Sequence, residues 1–179
     1  MQLSSYTPVS LTKSAGYELE LAIDIDTYMG NSFRIISVYV PHCGYARHFT
    51  EEIYTELNTL TREAENSNRS IIIGGDFNTS LNFGIRADML KMFAAENNLS
   101  ITNANSDIAW ESSWTFRSSL GHTRQLDYIL TGMRMDVASS QATVELDCGS
   151  DHRALRACIW LLGCLEERPK GKRQIKWHV

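Results

Sequence analysis

Three short polar segments stand inside apolar surroundings: Gly75-Asp76-Phe77-Asn78, then Asp127 within Arg124-Gln125-Leu126-Asp127-Tyr128-Ile129-Leu130, and Gly149-Ser150-Asp151-His152. Singly, each has an ordinary explanation. Asp and Asn after a strand form turns or cap helices, Asp127 suits the polar face of an edge strand, and Ser-Asp-His suits a loop. Brought to one rim, Asp76, Asn78, Asp127, Asp151 and His152 would supply hard oxygen ligands, a proton-transfer group and an orienting carboxylate. Oxygen ligands favour magnesium or manganese over zinc. Such a set suits hydrolysis of a phosphate ester, in which a divalent metal neutralises charge and an activated water attacks.

That chemistry needs strand ends gathered at one rim, and the surrounding pattern predicts strands. Ile71-Ile72-Ile73 in "SIIIGGDFN" reads as part of a strand over Ser70–Gly74 that is buried on both faces, with two glycines for a sharp turn at its end. "YELELAIDID" (Tyr17–Asp26) alternates, with Tyr17, Leu19, Leu21, Ile23 and Ile25 on one face and mostly acids on the other, as in a half-buried strand. Across a Gly30-Asn31 turn, "FRIISVYV" (Phe33–Val40) returns as the second strand of a hairpin, ended by Pro41. Thr50–Glu65 predicts a helix with Thr50 as N-cap, acids in the first turn, and Ile53, Leu57, Leu60 and Ala64 on one face. Arg86–Asn98 predicts a second, with Leu90, Phe93 and Ala94 inward. Shorter strands are expected at Ser100–Asn103, Ser113–Phe116, Gln125–Leu130, Ala142–Leu146 and Ala154–Trp160. Strands outnumber helices, which fits a layered α+β or α/β sandwich.

The 179 residues and 43% hydrophobic content suit one domain with a real core. The net charge of −4 is unevenly spread. Arg168, Lys170, Lys172, Arg173 and Lys176 make the last twelve residues basic, leaving 12 basic against 21 acidic groups elsewhere, a net of −9. An acidic body argues against bulk capture of a polyanion, so nucleic-acid binding would need a local basic patch, the tail or a bound cation. Cys43, Cys148, Cys158 and Cys164 show no paired spacing, which argues against zinc and for a reducing compartment. The start of the chain lacks the apolar core of a signal peptide. The longest apolar run, Ala157–Leu165, is too short to span a bilayer. The expectation is an intracellular protein, nuclear or cytoplasmic.

In this order, "GGDFN", "QLDYIL" and "GSDH" resemble the endonuclease/exonuclease/phosphatase superfamily, also called deoxyribonuclease-I-like. In "SVYVPHCG", Tyr39, Pro41 and Gly44 look like the strand-end tyrosine segment of its apurinic endonuclease branch, and "WTF" (Trp114–Phe116) resembles the aromatic stretch before the aspartate motif. The wider texture is closest to endonuclease domains of non-LTR retrotransposons and to craniofacial-development-protein-2-like sequences. The resemblance covers about Tyr17 to Leu161. It implies a four-layered α/β (α+β) sandwich, two packed mixed β-sheets flanked by helices, over residues 1–165, with 166–179 as a basic, flexible tail.

The resemblance also implies roles. Asp76 would orient or deprotonate the attacking water, and Asn78 would hydrogen-bond the reacting phosphate or assist at the metal. His152 would contact the scissile phosphate, with Asp127 fixing its tautomer and charge. Asp151 would join Asp76 and Asn78 at a Mg2+ or Mn2+ ion, and Tyr39 would stabilise charge developing on the phosphate or leaving oxygen. A buried strand aromatic is the other reading of Tyr39. Arg117 and Arg124 flank the aromatic and aspartate motifs as phosphate contacts or as ordinary surface arginines. Trp110 and Trp114 could stack on an unpaired base or simply pack.

Family members begin with a strand carrying an asparagine and another ending in a metal-ligating glutamate. Neither is matched here: residues 1–16 contain no Glu, and the first, Glu18, lies on the polar face of the hairpin strand. The expectation is therefore a sandwich truncated at its N-terminus, with exposed edges and weakened magnesium binding. The activity implied is metal-dependent phosphodiester hydrolysis, a retroelement-type DNA endonuclease acting as a monomer away from membranes. The rivals are a catalytically inactive remnant that only binds, and a phosphatase or lipid phosphodiesterase of the same superfamily.

Overall fold

The computed structural model of the chain describes residues 3–14, 17–104, 109–132, 135–143 and 149–161. Strands β1 (Leu3–Ser14), β2 (Tyr17–Thr27) and β3 (Ser32–Tyr39) pair antiparallel in succession. Helix α1 (Arg47–Asn66) then crosses over to β4 (Ser70–Asp76), which runs parallel to β3. Helix α2 (Ile85–Glu96) leads to β5 (Leu99–Ile101), and a 3₁₀ turn at Trp110–Ser112 precedes the short ribbon β6 (Phe116–Arg117) and β7 (Thr123–Arg124). The chain continues through β8 (Asp127–Gly132), β9 (Met135–Thr143) and β10 (Ala154–Leu161). Six strands form one mixed sheet in the order β1-β2-β3-β4-β8-β5, while β9 and β10 form an antiparallel pair.

Both faces of the large sheet are apolar, as the continuous Ile71–Ile73 run requires. On one face Ile36, Val38, Ile71, Ile73, Tyr128 and Leu130 pack with Ile53, Leu57, Leu60 and Ala64 of α1 and Leu90, Phe93 and Ala94 of α2, all buried. The helix faces are those the 3.6-residue periodicity predicts. On the other face Ile25 and Phe33 join Met135 of β9, with Ile23, Ile35, Ile72 and Ile159 packed around them. This is the α+β sandwich expected from the sequence. Among the described residues its second layer of strands is the β9–β10 pair. No described helix is long and apolar enough to cross a membrane.

Three local differences from the sequence pattern have physical reasons. Strand β1 falls in a Ser/Thr-rich segment interrupted by Pro8, which has no clean alternation. An edge position tolerates proline, because one side of an edge strand needs no ladder hydrogen bonds. Strand β9 starts at Met135 rather than Ala142, since "MDVASSQAT" carries a weak apolar signal and is held by pairing to β10. The expected strand's last residues and the basic tail lie outside the described residues. Helix α1 starts at Arg47, with Ala46 at the cap and no side-chain cap bond, so Thr50 is not the N-cap and Glu51 and Glu52 follow the first turn. Thr50 is instead buried against the sheet.

The acidic face of β2 is also not a solvent face. Asp24 lies opposite Arg34 on β3, and Arg34, only 4% exposed, donates Nε and Nη2 to the Asp24 carboxylate at 2.8 and 3.0 Å. Its Nη1 reaches the Leu60 carbonyl and Glu63 on α1. Arg69, just before β4, binds both Asp24 (3.1 Å) and Asp26 (2.8 Å). The acids therefore clamp α1 and the start of β4 onto the hairpin. Removing one partner strands a buried charge, so Asp24→Ala is expected to cost about 3 kcal/mol in urea denaturation. A loss below about 1 kcal/mol, the value of a surface pair, would contradict this arrangement.

Candidate active site

The site is built on the register of three strands. Tyr39 on β3 is the parallel partner of Asp76 on β4, and Asp76 is the antiparallel partner of Asp127 on β8. Cross-strand partners project to the same face, so one tyrosine and two carboxylates stand in a row at the sheet rim. The two glycines make that row possible. A Cβ on Gly75 would lie 1.8 Å from the Val38 carbonyl oxygen, and Gly75 takes a φ of +157°. A Cβ on Gly74 would meet only Ile129 at 3.9 Å.

Just past β4, Asn78 adopts a φ of +48°, a left-handed conformation that asparagine tolerates better than most residues. Its amide N–H donates to Asp76 Oδ1 at 2.8 Å, closing an Asx turn. Its side-chain Nδ2 donates to Asp76 Oδ2 (3.0 Å) and to the Val40 carbonyl (2.9 Å). The turn-forming and site-forming readings of "GDFN" are thus both realised. Both amide hydrogens of Asn78 are used within the protein, which leaves its Oδ1 as an acceptor. That suits a cation better than a phosphate oxygen. Arg86 of α2 braces the loop beyond Val40 by donating to the Pro41 and His42 carbonyls.

His152 completes the cluster. Its Nδ1 lies 2.9 Å from Asp127 Oδ2, and its Nε2 lies 4.0 Å from Asp76 Oδ2. With Asp127 ionised, Nδ1 carries the hydrogen and Nε2 faces Asp76 across a gap that one oxygen atom can touch from both sides. Burial is the main force raising the Asp76 carboxyl, to about 6, against the pull of the Asn78 amide, while the Asp127 charge raises it further. Burial also raises Asp127, against the opposing effects of Thr115 and His152. Asp76, Asp127 and His152 can each offer a ligand atom within 4.8 Å of the others. Neither carboxylate has a Lys or Arg partner among the described ion pairs, and the oxygen-rich donors fit a hard divalent cation.

The structure therefore gathers Asp76, Asn78, Asp127 and His152, with Tyr39 beside Asp76. Tyr39 is 43% exposed, so the buried-aromatic reading does not hold. Asp151 is exposed and outside the ligand group, and its carbonyl accepts the Arg117 N–H at 2.9 Å. Arg124 is exposed and lies opposite Phe116, which in turn is bridged to His152. Trp114 is buried and both faces of the question close on packing: the Arg117 and Arg153 guanidinium groups lie over its ring, at 4.6 and 3.1 Å from the centroid. Trp110 is exposed and donates to the Thr123 hydroxyl. A cavity of about 430 Å³ bounded by Glu65, Arg69, Asn97 and Gly132 lies at the start of β4, the opposite end from Asp76.

Three supporting contacts went unassigned by sequence reasoning, although Thr115 and Phe116 fall in the "WTF" stretch. Thr115 Oγ1 accepts the N–H groups of Leu126 and Asp127 (2.9 and 3.1 Å), fixing the entry to β8. Asn103, 2% exposed, donates to the Asp127 carbonyl and accepts from the Ile129 N–H, holding the other side of that strand. The Phe116 ring lies 5.1 Å from the His152 ring. A threonine between two aromatics and an asparagine ending a strand were the only signals available.

The fold and the acidic rim define a class before they define a family. Solved structures with this fold include the human Nocturnin catalytic domain with bound sulfate (TM-score 0.60, 19% identity, 89% of this chain and 60% of that one). An endonuclease/exonuclease/phosphatase family protein from Leptotrichia buccalis gives a TM-score of 0.64 at 18% identity, over 89% of this chain and 62% of that one. A 3′ phosphatase from Neisseria bound to product DNA hairpin gives 0.59 at 15% identity, over 76% and 63%. The chain thus spans less than two thirds of each. No curated protein matches the sequence. Residues 33–156 match the family model described as endonuclease-reverse transcriptase, and the chain belongs to that family within the endonuclease/exonuclease/phosphatase superfamily.

Two predictions test this geometry. Gly75→Ala should destabilise the protein by more than about 2 kcal/mol, because the β3–β4 register must shift, whereas Gly74→Ala should stay within about 1 kcal/mol; equal effects in chemical denaturation would contradict the close approach. The raised Asp76 carboxyl contributes stability that is present below its unfolded value of 3.8 and is lost as pH rises through about 6. In chelator, the melting temperature of Asp76→Asn relative to wild type should therefore climb between pH 4 and 7 and then level. A constant difference would contradict the assignment.

Proposed function

We propose that the chain performs metal-dependent phosphodiester hydrolysis, as a DNA endonuclease of retroelement type. The observation carrying this reading is the Asp76–Asp127–His152 cluster, with its two carboxylates opposed across β4 and β8. Asp76, held by the backbone N–H and one side-chain N–H of Asn78, takes the proton of the attacking water. Its carboxyl at about 6 is largely ionised at neutral pH, the state a base requires. His152 Nε2 contacts a phosphoryl oxygen, and Asp127 keeps the ring oriented and offsets imidazolium charge. Tyr39, exposed beside Asp76, stabilises negative charge on the phosphate or leaving oxygen. Asp76, Asp127 and the Asn78 carbonyl oxygen would hold Mg2+ or Mn2+, with Asp151 nearby at the rim, and the ion would supply charge neutralisation at the phosphate. Arg117 and Arg124 contact flanking phosphates.

One observation favours a second reading. The ligand group among the described residues contains two carboxylates, which is few for a tight magnesium site. A chain that binds nucleic acid without cutting it would follow from weak cation affinity. A phosphatase or lipid phosphodiesterase is the other rival, and a mannosyl-6-phosphatase from Bacteroides thetaiotaomicron shares the fold.

Supercoiled plasmid incubated with the purified chain and magnesium should be nicked, and chelator should stop it. Asp76→Ala and His152→Ala should each lower the rate by about 10²–10⁴-fold. A folded protein that leaves plasmid intact removes the catalytic reading. Release of phosphate from a phosphomonoester, with plasmid untouched, selects the phosphatase.

A further inference from the structure

The two guanidinium groups over Trp114 place like charges beside the catalytic ribbon. Arg153 follows His152, and Arg117 follows Phe116, the residue bridged to His152. Backbone bonds lock the two segments together: Arg117 N–H to the Asp151 carbonyl (2.9 Å) and Arg153 N–H to the Thr115 carbonyl (2.7 Å). Both side chains converge on one ring, with Arg153 further fixed by donating Nη1 to the Glu111 carbonyl at 2.8 Å. Neither forms an ion pair with a carboxylate among the described residues. Arg34, Arg47 and Arg69 have acidic partners, whereas Arg86 bonds only backbone carbonyls among the described residues.

Two guanidinium groups on one indole ring, neither ion-paired to a carboxylate among the described residues, repel each other. Burial, and the charge of Arg117, push Arg153 below its usual value. A phosphate bound beside the pair relieves that repulsion. The indole and the backbone bonds have already ordered both side chains, so little rotamer entropy is lost on binding. Planar guanidinium groups suit phosphate oxygens.

We propose that Arg153, with Arg117, forms a second phosphate subsite around Trp114, holding a non-scissile backbone phosphate of a nucleic-acid strand whose scissile phosphate lies at His152. This rests on the reading of the site as acting on nucleic acid. It names Arg153 as a substrate-binding residue and favours a substrate that carries more than one phosphate. In a body whose charge is predominantly acidic, the pair supplies the local basic patch a polyanion needs.

The test is binding of a fluorescein-labelled duplex oligonucleotide to the full chain in chelator, read by anisotropy across a salt series. Arg153→Gln and Arg117→Gln should each weaken binding about tenfold and flatten the salt slope by about one. Arg153→Lys keeps a charge there and should retain the slope. Lys91→Gln, an exposed cation on α2 in the opposite layer, serves as the comparison for net charge alone. Wild type that fails to bind, a double Arg variant that binds unchanged, a Lys91→Gln effect of equal size, or Arg153→Lys as damaged as Arg153→Gln would each overturn the subsite. Arg-dependent binding by a chain that does not nick plasmid would support the subsite and remove only the catalytic reading.

Discussion

The register of β3, β4 and β8 is the constraint from which the site follows. At its centre the Gly75 backbone presses against the Val38 carbonyl so closely that no side chain fits between them. That contact sets β3 against β4, and the Asp76 carbonyl then accepts the Val40 N–H as β3 ends. One residue of slip on either strand would turn Tyr39, Asp76 or Asp127 to the helix face. The Asx turn at Asn78 depends on the same alignment, because its Nδ2 reaches across to the Val40 carbonyl. A glycine, an asparagine and a sheet register thus act as one device.

That device brings together charges that oppose being together. Asp76 and Asp127 are cross-strand partners, half-buried, and each is raised by its surroundings. The sheet ladder and the Thr115 and Asn103 hydrogen bonds hold β8 in place despite the repulsion. His152, whose ring nitrogens face both carboxylates, offsets part of it. The remaining negative charge is what a divalent cation or a proton would neutralise. The Arg117–Arg153 pair shows the mirror arrangement, two cations held on one indole ring by stacking and backbone bonds, without a carboxylate ion pair among the described residues. Side by side, an acidic cluster and a dicationic cluster suit a substrate that carries several phosphates.

Much of this was legible in the sequence, and the failures share one cause. The β2–β3 hairpin, both helix faces, the buried Ile71–Ile73 run and the polar breaks at Asp76, Asp127 and His152 are local patterns, and local pattern found them. Asp24 and Asp26 looked like a solvent face because their partners, Arg34 on β3 and Arg69 just before β4, come from elsewhere in the chain. Thr115 and Asn103 looked unremarkable because their importance lies in bonds to β8, more than ten residues away in each case. Strand β1 and the first half of β9 exist through pairing rather than propensity. The Thr50 cap failed because burial against the sheet claimed that residue. Burial of polar groups is decided by remote partners, and a single sequence does not display them.

The two faces of the large sheet divide the labour unequally, and this explains how a thin second layer can still carry a site. The helix face holds the larger core, running from Ile36 and Ile73 to Leu57 and Leu90. The opposite face has the smaller cluster around Ile25, Phe33 and Met135, and it is on this side, in line with Ile72 and Gly74, that Asp76 projects. Rigid placement of the carboxylates therefore comes from behind, through the alternate residues Ile71, Ile73 and Phe77 anchored under the helices. Among the described residues, His152 and the Phe116 ribbon reach the cluster from the front, held by the Arg153 N–H bond to the Thr115 carbonyl rather than by core packing. The acidic half of the site should accordingly survive perturbation of the β9–β10 layer, while the seating of His152 should not.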